Sequence, residues 1–197
     1  MRTRFLLPVT AMLVSLAACT PAADMGEGEP AGEMAAEEAE APSSTVQSEL
    51  LNDLATLREK YVGLADATPE SDYGWRPAEG VRSVSEVYMH VVAANFGLVS
   101  TVMGTEPPEG TDAAWYGQDA ESITDKATVV EALGASFDYM AAAIESTGDD
   151  SWDNAVDLFG PNSVRGAMTF TLAHCHEHLG QSIAYARSNG VVPPWSM

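Results

Sequence analysis

The sequence has few basic residues: its 197 residues include 9 Lys and Arg against 29 Asp and Glu, a formal net charge of −20. Nucleic acids and anionic lipid head groups are bound by clustered Lys and Arg. The composition therefore argues against nucleic acid as a partner and against electrostatic adhesion to a membrane. Hydrophobic residues nevertheless make up 46% of the chain, which is enough for a folded core.

Cysteine is equally scarce, with Cys19 and Cys175 as the two cysteines of the chain. Cys19 follows Leu16-Ala17-Ala18, a short basic start and an apolar run too short to span a membrane. This start resembles a bacterial lipoprotein signal, which implies cleavage before Cys19 and lipidation of its thiol. An ordinary secretory signal without a lipid is the alternative. Once Cys19 carries a lipid, an intramolecular disulfide is excluded, and the core must hold the fold.

Residues 20–45 contain neither aromatic nor basic residues, but they contain seven acidic ones. Such a segment cannot bury enough apolar surface to offset the entropy lost on ordering. The sequence thus predicts a signal peptide at 1–18, a disordered acidic tether at 19–45 and a folded domain at 46–197. We expect the protein in the cell envelope, attached to a membrane only through the lipid on Cys19, on the periplasmic face in a Gram-negative cell.

The domain contains four segments in which apolar residues recur with the period of an α-helix. The first stripe starts at Leu50 and the helix should end near Ala65. The others are predicted from a Ser83 cap to Ser100, from Thr124 or Asp125 to Gly148, and from Ser163 to Ser188. Four such helices predict an all-α fold, a four-helix bundle with long connections.

Two of the connections, residues 73–77 and 106–116, are rich in Gly, Pro and aromatic residues. Long loops of this kind often carry functional residues. They form the mouth of a pocket in one interpretation. In the other, Trp75 and Trp115 simply pack over the end of the bundle.

Three of the four histidines lie within five residues, at 174, 176 and 178. On a helix His174 and His178 are about 40° apart, whereas His176 points away from them. A pair spaced by four residues can hold one metal ion from one helix face, and His90 in the second helix is a third candidate. Three imidazoles leave a position open for water or substrate. Unrelated core and surface histidines are the alternative on residues alone.

His178-Leu179-Gly180-Gln181, with His174 before it and His90 upstream, resembles the DinB/YfiT-like family. Three further segments are similar to that family: 75–77, 82–84 and 189–195. The resemblance covers about residues 46–197. It implies a four-helix bundle with a divalent metal held by His90, His174 and His178.

Imidazole ligands without a thiolate suit Zn, Ni, Fe or Cu. Family members with an assigned role include thiol-dependent S-transferases and a mycothiol-dependent maleylpyruvate isomerase. The resemblance thus implies a metal-dependent transferase of the thiol type, or a hydrolase, acting on a small molecule. Two other functions stay open: a non-catalytic envelope module that binds metal or ligand, and a structural bundle with a vestigial site. The resemblance also implies a homodimer formed through helix contacts.

Three further residues of the fourth helix are candidate catalytic residues. Gln181 and Tyr185 fall on the same stripe as His174 and His178, where they can hydrogen-bond substrate or water. Glu177 lies about 60° off that stripe, from which it can orient a ligand imidazole or act as a base. A solvated surface carboxylate is the alternative for Glu177.

The remaining polar residues of this region are given lesser roles. We expect His176 to lie on the surface, because it points away from the stripe. Cys175 is expected to be a small buried residue rather than a nucleophile. Arg76, Arg82 and Arg165 are the candidates for holding an anionic thiol cofactor, although they form no cluster in the sequence.

Overall fold

The structure, a computed structural model, describes residues 45–196. The predicted signal peptide, the lipidated Cys19 and the tether up to residue 44 lie outside the described residues. Four long helices account for most of the described chain, as the sequence predicts. Their bounds are Val46–Ala67 for α1, Val84–Met103 for α2, Lys126–Glu145 for α3 and Val164–Ser188 for α4.

The helices begin at the predicted caps, because side-chain oxygens there satisfy free backbone N–H groups. The Ser83 hydroxyl accepts from the Glu86 amide, and the Glu86 carboxylate accepts from the Ser83 amide at 2.7 Å. Asp125, rather than Thr124, caps α3. The α2 helix runs three residues beyond Ser100, to Met103, and is capped by Gly104, whose φ of 64° lies in the left-handed region that favours glycine.

The helix order around the bundle places α2 beside α4. Both α1 and α2 make their main contacts with α3 and α4, so α1 and α2 lie on a diagonal. The core between them contains fully buried side chains from all four helices, including Leu57, Phe96, Phe137 and Met168. By length and hydropathy α2 and α3 are each apolar enough to cross a membrane, but half of each apolar segment is buried within the bundle.

A small β-hairpin precedes α4 and was not predicted. Its strands are β1, Ala155–Asp157, and β2, Pro161–Ser163, paired antiparallel with Asp157 opposite Pro161. The loop between them is Leu158-Phe159-Gly160. Two consecutive residues of this loop have positive φ, 56° at Phe159 and 118° at Gly160. The first of these is unusual, because a phenylalanine rarely adopts the left-handed conformation.

The two tryptophan loops pack against the bundle. Trp115 is buried, and Trp75 is half-buried against the core with its ring edge-to-face with that of Tyr185, at a centroid distance of 5.3 Å. These contacts favour packing over the bundle as the role of the two tryptophans.

Candidate metal centre

The bundle brings three of the four histidines together, two from α4 and one from α2. Each of His90, His174 and His178 offers one ring nitrogen, and these three nitrogens lie within 4.8 Å of one another. His90 Nε2 and His174 Nε2 are at hydrogen-bond distance, 3.2 Å. His90 reaches the other two because α2 and α4 are neighbours in the bundle.

The spacing and the charge state of the imidazoles fit a divalent metal ion. Two nitrogens that bind one tetrahedral ion at about 2.0–2.1 Å lie roughly 3.3 Å apart, close to the separation in this pair. Burial, with the neighbouring histidines, lowers the pKa of His174 to about 4. Burial and the Arg82 charge also lower the pKa of His90. Both rings are therefore neutral at pH 7, the form that binds metals.

His90 is oriented by Glu121, a carboxylate from the connection between α2 and α3 that pairs with Arg82 just before α2. Its Nδ1 lies 3.1 Å from Glu121 Oε1, and Arg82 contacts both carboxylate oxygens of Glu121 at 2.9 Å. Although partial burial raises the pKa of Glu121, the hydrogen bond and charge of Arg82 outweigh it, and the net pKa is lowered. The resulting carboxylate holds the proton of His90 on Nδ1, which leaves Nε2 free as a ligand.

His178 is oriented by neutral residues of its own helix. Its Nδ1 donates to Gln181 Oε1 at 2.8 Å, and Gln181 Nε2 donates to the Tyr185 hydroxyl at 2.9 Å. Gln181 and Tyr185 therefore lie on the Nδ1 side of the His178 ring and hold it in place. Since that ring keeps its proton on Nδ1, its Nε2 is the nitrogen available to a metal.

The third ring, His174, has no comparable support. Its Nδ1 is buried and has no hydrogen-bond partner among residues 45–196. Its Nε2 lies at hydrogen-bond distance from His90 Nε2, and its ring packs against those of His90 and His178, at centroid distances of 5.2 and 4.5 Å.

A model of the DinB superfamily matches residues 53–182 of the chain, about two thirds of its length. The chain belongs to the DinB superfamily. This confirms the resemblance noted from the histidine motif and the all-α four-helix fold that it implies. The curated proteins give no match to the chain.

Solved structures of the same fold include two DinB-like proteins. The one from Bacillus cereus has a TM-score of 0.62 and 19% identity, with 74% of this chain and 93% of the other covered. The one from Bacillus subtilis has a TM-score of 0.57 and 18% identity, with 73% and 93% covered. A conserved protein from Enterococcus faecalis has a TM-score of 0.58 and 14% identity, with 74% and 97% covered. At these identities the likeness concerns the fold.

The three residues of α4 between His174 and His178 point either to the surface or into the core. The His176 ring is on the surface, as expected, with Nε2 at 2.9 Å from both oxygens of Asp53 on α1. Glu177 is exposed to solvent. Cys175 is fully buried, its thiol donates to Asn95 Oδ1, and burial raises its pKa to about 12. A thiol in that state is a poor nucleophile, as the sequence analysis expected.

The three arginines considered as anchors for an anionic thiol cofactor all pair with carboxylates of the domain. Arg82 contacts Glu121, as described above. The other two pairs are Arg76 with Glu86 at 2.9 Å and Arg165 with Asp153 at 2.7 Å. None of the three guanidinium groups is therefore left without a counter-charge for an anionic ligand.

Glu121 is the residue of this DinB site that sequence reasoning missed. It lies in a one-turn 3₁₀ helix, Ala120–Ser122, within the long connection between α2 and α3. Its separation of 31 residues from His90 corresponds to no helical or strand spacing. The one available signal was its position in a long connection, where functional residues are common.

Proposed function

We propose that this DinB-superfamily domain binds one divalent metal ion through His90, His174 and His178 and is a metal-dependent enzyme acting on a small molecule. The observation that carries the proposal is the 3.2 Å separation of two neutral imidazole nitrogens, with a third nitrogen within 4.8 Å. Without an ion, the two neutral rings can share an N–H···N hydrogen bond at this distance. With an ion, both nitrogens would serve as ligands instead.

An ion held by these three imidazoles would act as a Lewis acid and would lower the pKa of a bound water or thiol. The ligand set suits Zn, Ni or Fe. The chain's own residues supply orientation: Glu121 fixes His90, and Gln181 fixes His178. The ion pair of Glu121 with Arg82 adds no net charge beside the histidines.

Between a hydrolase and a thiol-type transferase, we favour the hydrolase. Thiol cofactors of the glutathione type carry carboxylates, which are usually bound by cationic side chains. The three arginines weighed for that role already pair with carboxylates of the domain. Hydrolysis needs no such anchor, because its second reactant is water.

The metal half of the proposal is tested by metal analysis of the purified full chain. We expect about one divalent ion per chain in the wild type and in His176→Ala, which alters an exposed histidine of the same helix. We expect His90→Ala and His178→Ala to lose the ion while their circular dichroism keeps the helical signal. A wild-type chain without metal, or histidine variants that retain it, would refute metal binding.

The catalytic half is tested on the metal-loaded chain with panels of esters, amides and thiol-transfer substrates. Turnover that disappears in His178→Ala and persists in His176→Ala is the expected result. Metal binding without any turnover would instead favour the non-catalytic binding module. Thiol transfer without hydrolysis would reverse our preference for the hydrolase.

We propose in addition that the protein works in the cell envelope, attached through a lipid on Cys19. The support is the sequence alone, Leu16-Ala17-Ala18-Cys19 after a short apolar run. The test is fractionation of cells that express the wild type or Cys19→Ala. We expect the wild type in the membrane fraction and the variant outside it, whereas equal fractionation would argue against the lipid.

A further inference from the structure

An apolar groove begins at the histidine cluster and runs between α2 and α4 to the β-hairpin. Its volume is about 540 Å³, within the usual range of small-molecule sites, roughly 300–1,000 Å³. His90 and His174 form one end of it, and the remaining lining residues come from α2, the hairpin and α4. These include Ala94, Gly97, Leu98, Leu158, Phe159 and Phe170.

The α2 side of the groove is open because its residues are small. Ala94 and Gly97 follow His90 by one and two helical turns, on the same face of α2. A Cβ atom built on Gly97 would have no heavy atom within 4 Å. The space beside Gly97 is therefore free for a ligand.

Two aromatic side chains form the opposite wall, and both are exposed. Phe159 is 84% accessible and Phe170 44%, with ring centroids 5.5 Å apart in an edge-to-face arrangement. The left-handed backbone of Phe159, at φ 56°, holds its ring out of the core beside the groove. Exposed apolar surface of this kind, next to a polar cluster, is typical of a binding site.

The charge of the groove favours a neutral ligand. Asp157 is the charged residue among those that line it, and its Oδ1 accepts a hydrogen bond from the Gly160 amide at 3.1 Å. Arg82, whose charge acts on His90 and His174, pairs with Glu121. Away from the proposed metal ion, an anionic ligand would thus meet a carboxylate and no cationic side chain among the residues that line the groove.

We propose that this groove binds the apolar part of the substrate, which is a neutral small molecule with an aromatic ring or a short acyl chain next to the polar group that reaches the histidines. This inference rests on the proposed function, since the same His90 and His174 form the end of the groove and the candidate metal centre. Phe159 is then a specificity-determining residue rather than a catalytic one.

The first experiment tests the groove in the metal-free full chain with the neutral fluorescent probe N-phenyl-1-naphthylamine. We expect saturable binding to the wild type and about tenfold weaker binding to Phe159→Ala, because a buried ring contributes roughly that much. The control is Trp195→Ala, another exposed aromatic residue (39% accessible) that contacts Lys60 rather than the groove. We expect its affinity for the probe to match that of the wild type.

The second experiment uses the zinc-loaded chain and compares acetohydroxamate with benzohydroxamate by calorimetry. Both have the same metal-binding group, so the ratio of their dissociation constants reports on the groove. We expect about tenfold tighter binding of benzohydroxamate to the wild type. Gly97→Leu should abolish this preference by filling the groove. The control, Gly180→Leu, alters an exposed helical glycine that also has open space around it and should keep the preference.

The two experiments separate the failure of the groove from that of the metal centre. Equal probe binding by the wild type and Phe159→Ala, or equal binding of the two hydroxamates, would overturn the groove even if zinc binds. A chain that binds the probe through Phe159 but holds no zinc would overturn the link to the histidines and the proposed function with it. Preference for benzohydroxamate that survives in Gly97→Leu would place the ring elsewhere and refute the inference.

Discussion

The two histidines whose Nδ1 atoms are held, His90 and His178, are supported by different means. Glu121, which pairs with Arg82, reaches His90 from the long connection between α2 and α3. A neutral chain, Gln181 and Tyr185, reaches His178 from the same helix. A carboxylate behind an imidazole both orients it and makes it a more basic ligand, whereas an amide only orients it. Glu121 behind His90 is therefore expected to strengthen metal binding more than Gln181 behind His178 does.

The largest effect is expected from Glu121→Ala, which removes the charged support. We expect the affinity for zinc to fall by about 10- to 100-fold, the usual cost of losing a group that supports a ligand. Competition with a chelator of known affinity measures it. Glu177→Ala, an exposed carboxylate beside His178 in sequence, is the control and should leave the affinity unchanged. A change below twofold in Glu121→Ala would mean that packing alone orients His90.

Gln181→Ala should lower the affinity for zinc less than Glu121→Ala does, by about threefold to tenfold, because the lost partner of His178 is neutral. The same competition assay applies. Gln181→Glu sharpens the comparison, since it gives His178 a carboxylate like that behind His90. We expect it to bind zinc at least as tightly as the wild type. Weaker binding by Gln181→Glu would show that charge is not what distinguishes the two supports.

Tyr185→Phe should have a smaller effect still, about twofold on zinc affinity. It removes the acceptor of the Gln181 amide but leaves the bond from His178 to Gln181 intact, and the buried ring can keep its contact with Trp75. The same competition assay measures the zinc affinity of this variant. An effect as large as that of Gln181→Ala would mean that the two residues act as one unit, which a double variant would reveal as non-additivity.

The smallest effect is expected from His176→Ala. Its contact with Asp53 lies on the surface, and exposed polar contacts of this kind contribute about 0–1 kcal/mol to stability. Urea unfolding should therefore shift by no more than about 1 kcal/mol, and zinc affinity should not change. A marked loss of zinc affinity would show that the α1–α4 contact at His176 also positions His174 and His178.

The features that sequence reasoning predicted depend on local spacing. The four helices follow from apolar periodicity and caps, and His174 with His178 follows from a four-residue repeat. His90 faces them because α2 lies next to α4, which periodicity does not determine, and the family resemblance was needed to select it. Gln181 and Tyr185 were placed on the correct stripe, but their hydrogen bonds hold His178, which a stripe alone does not reveal.

Glu121 and the hairpin could not be predicted for physical reasons. Glu121 contacts His90 because the long irregular connection between α2 and α3 passes beside that histidine. No periodicity of apolar residues in the sequence marks the path of such a connection. The strands of the hairpin have three residues each, too few to show alternation. The residue at the first positive φ of its loop is Phe159 rather than the glycine or asparagine that marks such turns.

Helix α4 sets the distance between the aromatic wall of the groove and the histidines. Phe170 and His174 are four residues apart on this helix, and an α-helix rises 1.5 Å per residue, so the two lie about 6 Å apart along its axis. A helix held by core contacts on one side does not stretch. A molecule that contacts both residues must therefore have its ring at a set distance from its polar group. The length of the linker between ring and polar group then determines which ligands fit.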